Sequence, residues 1–184
     1  FLVTPLEGGD HGAILVRPEM LFGKPGSFTI GKGAIEARTP GKIMPIFVLG
    51  KEAGGEPEAA AEYLPLLLDE PIGISTDTRR SIEDIRQAVE AAKRKFEQHR
   101  KQFGELADLY DAQQTALAWN VIYEPTKDRV IAPVSRRWSA GLGGYVLFCW
   151  DTYFAAYMLS LDSRELAYAN AIEITKEITD GGFV

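Results

Sequence analysis

SIEDIRQAVEAAKRKFEQHRK, residues 81–101, is the stretch where the character of the chain changes. Ile82, Ile85, Val89, Ala92 and Phe96 recur at intervals of three and four, the spacing that brings side chains onto one face of an α-helix. Ser81 followed by Asp84 is a plausible N-cap pattern, in which the two residues satisfy each other's backbone N–H groups. Glu83 and Asp84 open the stretch, whereas Lys93, Arg94, Lys95, Arg100 and Lys101 fall late in it, the order the helix dipole favours. One long amphipathic helix is expected.

Upstream, the residues to about Gly73 hold 12 of the 18 glycines and 8 of the 10 prolines, so that part is cut into pieces too short for helices. The apolar runs between them, AILV (13–16), SFTI (27–30) and IMPIFVL (43–49), read as short strands joined by turns. The segment 56–71 is ambiguous, because its alanines favour a helical turn that Pro65 interrupts. Downstream, residues 80–124 contain one glycine, Gly104, and no proline. A second helix is expected from Leu106 to about Trp119, then a loop bounded by Pro125 and Pro133 that carries the strand-like RVIA. A third helix is expected from near Asp151 to Leu161. A fourth is expected to open at Asp162, with Glu165 at the capping-box position, an inner stripe of Ala167, Ala171, Ile174 and Ile178, and a stop at Asp180-Gly181-Gly182. The expectation is an α+β chain: a β-rich, sandwich-like part over 1–79, a linking helix over 80–104, and an all-α part over 105–184.

The 184 residues are 46% hydrophobic, enough apolar material for a core in one ordinary domain or two small ones. A formal charge of −6 with no concentrated basic face argues against nucleic acid as a partner. No apolar run is long enough to span a bilayer, so no membrane segment is expected. Cys149 is the one cysteine, and His11 and His99 are far apart, so no internal disulfide can form and neither a metal nor a cofactor is expected. The chain opens on Phe1 and closes on ITDGGFV, which suggests a slice of a longer polypeptide whose remainder would be a partner.

Candidate chemistry concentrates in residues 133–154, PVSRRWSAGLGGYVLFCWDTYF. Asp151 is the one formal charge between Trp138 and Leu161, amid six aromatics over residues 145–158. A carboxyl among Phe148, Trp150, Tyr153 and Phe154 is expected to be desolvated, which raises a carboxyl pKa toward the range of a general acid. Trp138, Trp150, Tyr145 and Tyr153 offer flat faces for the C–H patches of a pyranose, and Arg136 and Arg137 offer planar donor forks for its hydroxyls. Each has a plainer alternative. Asp151 fits an N-cap, whose backbone N–H bonds would favour the anion instead. The arginines fit structural ion pairs and the tryptophans fit core filling. The glycines at 141–144 lack the Lys-Ser/Thr tail of a phosphate loop, Ser135 and Ser139 have no histidine near, Cys149 reads as a buried, inert thiol, and His99 as a solvated or packing residue.

The run AWNVIYEPTKDRVIAPVSRRW followed by GGYVLFCWDTYFAAYM resembles the glycoside hydrolases of family 63, which include processing α-glucosidases and mannosylglycerate hydrolases. It is also similar, more faintly, to the first signature of the trehalases, where P-x-x-R precedes W-D-x-Y; here these are residues 133–136 and 150–153. The close likeness covers about residues 118–158. It implies that Asp151 is the general acid of an inverting hydrolase acting on an α-linked sugar, an oligosaccharide or small glycoside. It also implies that Arg136, Trp138, Trp150 and Tyr153 line the pocket, and that the helices begin an (α/α)6 barrel preceded by a β-sandwich. The family's general base, a glutamate, would lie beyond residue 184. Glu124 and Asp128 are the nearby acids that could substitute for it, though their charged surroundings suggest ordinary exposed residues. A non-catalytic carbohydrate-binding or structural helical module is the alternative.

Overall fold

The computed structural model describes residues 1–7, 12–54, 62–133 and 146–182. They form two compact units, 1–94 and 95–184, in an α+β chain whose β-rich part comes first.

In the first unit β1 (Leu2–Val3), β3 (Ser27–Gly31), β4 (Ala34–Thr39), β5 (Lys42–Leu49) and β7 (Ile72–Thr76) make an antiparallel sheet in the order β1-β7-β5-β4-β3. β2 (Ala13–Val16) and β6 (Leu64–Leu67) pair antiparallel in a second, two-stranded sheet, which resolves the ambiguous segment as strand from Leu64 on. The expected runs at 13–16, 27–30 and 43–49 all lie in strands. Side chains alternate in and out along β4 and β6, and Ile35, Val48 and Ile72 from the larger sheet meet Leu64 and Leu66 from the smaller in one core. Between β4 and β5 the chain reverses at Pro40-Gly41, where proline suits the first corner and Gly41 takes φ +84° at the second.

α1 (Ile82–Lys101) starts as its sequence predicts. The Asp84 N–H donates to Ser81 Oγ at 3.1 Å, and the Asp84 carboxylate accepts from the Ser81 hydroxyl at 2.7 Å and the Ser81 N–H at 3.2 Å. Those bonds, the hydroxyl's first, hold the Asp84 carboxyl below its usual range. The apolar stripe is only partly used. Ile82 and Ile85 lie so close over Gly73 of β7 that a Cβ there would stand 2.7–2.8 Å from their Cδ1 atoms. Val89 and Ala92, expected on the same buried face, are exposed, because nothing among the described residues covers the middle of the helix.

The second unit holds α2 (Ala107–Asn120), a hairpin of β8 (Ile122–Glu124) and β9 (Arg129–Ile131), α3 (Cys149–Leu159) and α4 (Arg164–Lys176). α2 buries Ala107, Tyr110, Gln114 and Leu117, a three–four repeat. The Tyr110 ring stacks on Phe96 and Phe103, and its hydroxyl donates to Asp162 Oδ1 at 3.0 Å. His99 Nδ1 stands 3.3 Å from the same carboxylate oxygen, so it is a partly buried residue packed beside Asp162. α4 is capped by Ser163, whose Oγ accepts the Leu166 N–H, one residue later than expected because Asp162 is engaged by Tyr110. It ends at Lys176, ahead of the Asp180-Gly181-Gly182 stop, and leaves Ile178 exposed. Leu117, Ala132, Ala155, Leu159 and Ala167 form the core of this unit. Among the described residues no helix is long and apolar enough to cross a membrane.

Two outcomes follow from this packing. Ile85→Ala should destabilise the protein by about 2–5 kcal/mol, as for a buried isoleucine, while Val89→Ala should change stability far less; urea unfolding of the pair measures both. The Tyr110 phenol is pushed up to about 12 from the ordinary 10.0, chiefly by burial and then by its bond to Asp162. Between those values the unfolded chain loses its proton first, so this contribution to stability is complete below pH 10 and is lost as pH rises through the folded value. Phenolate absorbance in an alkaline titration should show one late-titrating tyrosine that Tyr110→Phe removes.

Candidate functional site

The site is built on α3, and α3 packs in an unexpected way. Its buried residues are the small Thr152, Ala155 and Ala156 together with Leu159, whereas Trp150, Tyr153, Phe154 and Tyr157 are exposed, Trp150 at 72% and Tyr157 at 74%. At about 100° per residue those four aromatics share one side of the helix and the small residues share the other. Cys149, Trp150, Tyr153, Phe154 and Tyr157 line a shallow, open, apolar groove on that side. Cys149 is exposed there, not buried as its apolar surroundings suggested. The cause is geometric: small side chains let α3 lie close against α4, and a helix has only one other side for the bulky ones.

Asp151 occupies the first turn, at the border between these two faces. The N-cap is Phe148, which makes no side-chain capping bond, so Asp151 is not a cap. The desolvated carboxyl expected from the sequence is also not found. Asp151 is exposed and has no hydrogen bond or ion pair among the described residues, because its aromatic neighbours face outward beside it and do not close over it. Tyr153 shares its hydroxyl with Thr175 Oγ1 at 2.9 Å, which leaves its ring edge tied to α4 and one face accessible. Thus Asp151, Trp150 and Tyr153 lie near one end of α3 with Asp151 and Tyr153 on nearly opposite sides of it, whereas Arg136, Arg137, Trp138 and Tyr145 lie outside the described residues.

The second unit also holds a cluster of charges that the sequence did not announce. Arg129, only 9% exposed at its side chain, donates Nε to Glu124 at 2.5 Å and Nη1 to Glu177 at 2.9 Å and Glu173 at 3.3 Å. Burial works against its charge, but the bonds to Glu124 and Glu177 outweigh that and hold its pKa above the usual value. Lys176 and then Arg129 hold the Glu173 carboxyl below its usual range, and Lys127 and then Arg129 do the same for Glu177. Glu124 is therefore no exposed bystander: its largely buried carboxylate is committed to Arg129. Asp128 sits at a positive φ in the hairpin turn and accepts the Tyr123 hydroxyl. Neither is placed as a free base.

A second polar feature, missed for want of any local pattern, is Asn170 of α4. It is wholly enclosed, with its amide bonded to the backbone of Ala132 and of Thr152. Among the described residues no group of three or more His, Cys, Asp or Glu side chains is placed to hold a metal ion. No family model, curated protein or solved structure matches the chain.

Removing the central cation of the cluster should be felt at neutral pH. Arg129→Met should destabilise the unit by on the order of 3 kcal/mol, the low end for breaking a buried pair, since Lys127 and Lys176 still serve Glu177 and Glu173. Carboxyls whose folded pKa is depressed contribute stability above their ordinary value of 4.5 and lose it as pH falls through the folded value. The gap between wild type and variant should accordingly narrow in acid. Urea unfolding at neutral pH and below pH 4.5 checks both points.

Proposed function

We propose that this chain is part of a glycoside hydrolase in which Asp151 protonates the departing oxygen of a terminal α-glycosidic bond. The observation that carries the proposal is a carboxylate without partners among the described residues, standing at the border of an exposed aromatic face formed by Trp150, Tyr153, Phe154 and Tyr157. A pyranose stacks its C–H surface on such rings, and a sugar lying there excludes water from the adjacent carboxyl. A water-excluded carboxylic acid keeps its proton better than a hydrated one, which is the condition for general acid catalysis. The proton passes to the glycosidic oxygen as its bond to the anomeric carbon breaks, and water attacks that carbon from the opposite face. The water is activated by a base outside the described residues, about 6.5–9.5 Å from Asp151 in an inverting arrangement. Arg136 and Trp138 join Trp150 and Tyr153 as substrate-binding residues, and the helices of the second unit are the opening of an (α/α)6 barrel; both points rest on the resemblance to glycoside hydrolase family 63.

One observation favours a second reading. Asp151 is open to solvent, as a hydrogen-bonding residue of a non-catalytic carbohydrate-binding face would be.

The two are separated by leaving-group dependence. The purified 184-residue chain should turn over no aryl α-glycoside. In the longer polypeptide proposed to contain it, Asp151→Asn should lower kcat by about 10²–10⁴ on glycosides with poorly acidic leaving groups, the range for loss of a general acid. α-Glycosyl fluorides, whose fluoride departs with little proton assistance, should be much less affected. Equal losses on both substrates would remove Asp151 from the acid role. Glycan binding that depends on Trp150, with no turnover in either protein, would establish the binding module.

A further inference from the structure

Asn170 is 0% exposed, and each polar atom of its amide has a partner. Its Oδ1 accepts the Ala132 N–H at 2.9 Å, and its Nδ2 donates to the Thr152 carbonyl at 3.3 Å and, more weakly, to the Ala132 carbonyl at 3.5 Å. A backbone N–H can only donate, so the amide oxygen must face Ala132 and the nitrogen is turned toward the carbonyls. Ala132 lies one residue beyond the last β8–β9 pair, Ile122 with Ile131, so Asn170 takes over where the strand ladder stops. Thr152 is the residue after Asp151.

The Thr152 carbonyl adjoins Asp151, whereas two other polar ties of α3 lie further along, Tyr153 with Thr175 and the Met158 carbonyl with Gln114. Phe148 supplies no side-chain cap, and the buried Thr152 hydroxyl makes no hydrogen bond among the described residues. Apolar packing of Thr152, Ala155 and Ala156 sets the distance between α3 and α4 but constrains sliding along the helix axis less, since small side chains interlock weakly. A directional bond to one carbonyl fixes that remaining freedom.

We propose that Asn170 is a positioning residue for Asp151, tying the first turn of α3 to the strand end at Ala132 and so fixing where the carboxylate stands. Its catalytic consequence rests on the role proposed for Asp151; the tie itself does not. Aspartate in its charged form keeps the acceptor but sets a negative charge against two carbonyls, and leucine has neither donor nor acceptor. A protonated aspartic acid restores both.

The test uses Asn170→Leu and Asn170→Asp with Ile174→Val as a control for general loss of packing in α4, where Ile174 is also fully buried. Hydrogen exchange at the Ala132 amide should accelerate at least tenfold more in Asn170→Leu than in the control after correction for global stability. In Asn170→Asp the charged carboxylate, repelled by the Ala132 and Thr152 carbonyls, should open the site despite its acceptor oxygen, so protection should be lower at neutral pH and return as pH falls. If the leucine variant does not fold, the aspartate variant carries the test through this pH rescue. Unchanged Ala132 protection in the variants that fold would overturn the proposal. In the longer enzyme, the aspartate variant should lower kcat about tenfold more on poor leaving groups than on glycosyl fluoride, a milder copy of Asp151→Asn, with KM little changed. Equal loss on both substrates, when Asp151→Asn is selective, assigns Asn170 a merely structural role and overturns the positioning claim. Loss of Ala132 protection and its acid rescue, with no selectivity even in Asp151→Asn, upholds the tie and removes Asp151 from catalysis.

Discussion

Helix α3 lies against α4 through small residues, and the layout of the second unit follows from that contact. Thr152, Ala155 and Ala156 have no bulk to hold the helices apart, and Ala167 faces them from α4 within the same core. Close approach gains dispersion contacts between backbones and small side chains, which interiors at crystal-like density reward. It also decides where everything else goes. With one side of α3 reserved for small residues, Trp150, Phe154 and Tyr157 must point outward, whatever the hydrophobic effect on each would favour alone.

The polar side of the same arrangement holds the β8–β9 hairpin. Two paired strands of three residues bury too little to stand by themselves. They are held by α4 in three ways: Asn170 bonds the chain just past β9, Glu173 and Glu177 bond Arg129 within it, and Ala132 enters the shared core. Removing Arg129 from water is expensive, and the three carboxylates around it offset that only because the geometry is good. Misplacing the hairpin would strand several charges at once.

Much of this was legible in the sequence, and the parts that were not have a common cause. The strands could be found because glycines and prolines bracket them, and the start of α1 because Ser81 and Asp84 satisfy each other within a single turn. Both are local signals. The cluster around Arg129 is completed by Glu173 and Glu177, 44 and 48 residues away, and the enclosed amide of Asn170 is bonded to Ala132 and Thr152. Nothing in the neighbouring sequence of Asn170 marks it as different from an asparagine on a helix surface. The outward face of α3 misled for another reason: its small side, with Ala155, Ala156 and Leu159, is as apolar as its aromatic side, so hydrophobicity has no amphipathic period and could not say which side would be buried. Asp151 was singled out correctly as an isolated charge and misjudged in its exposure by that same error.

The exposure of Asp151 and the exposure of the aromatics are one fact. Asp151 stands about 60° around the helix from Phe154 and about 100° from Trp150, so a body lying across those rings reaches the carboxylate only where it overhangs the Phe154 edge. The first turn of α3, which carries Asp151, is bonded to its surroundings by the enclosed amide of Asn170 at the adjoining Thr152 carbonyl.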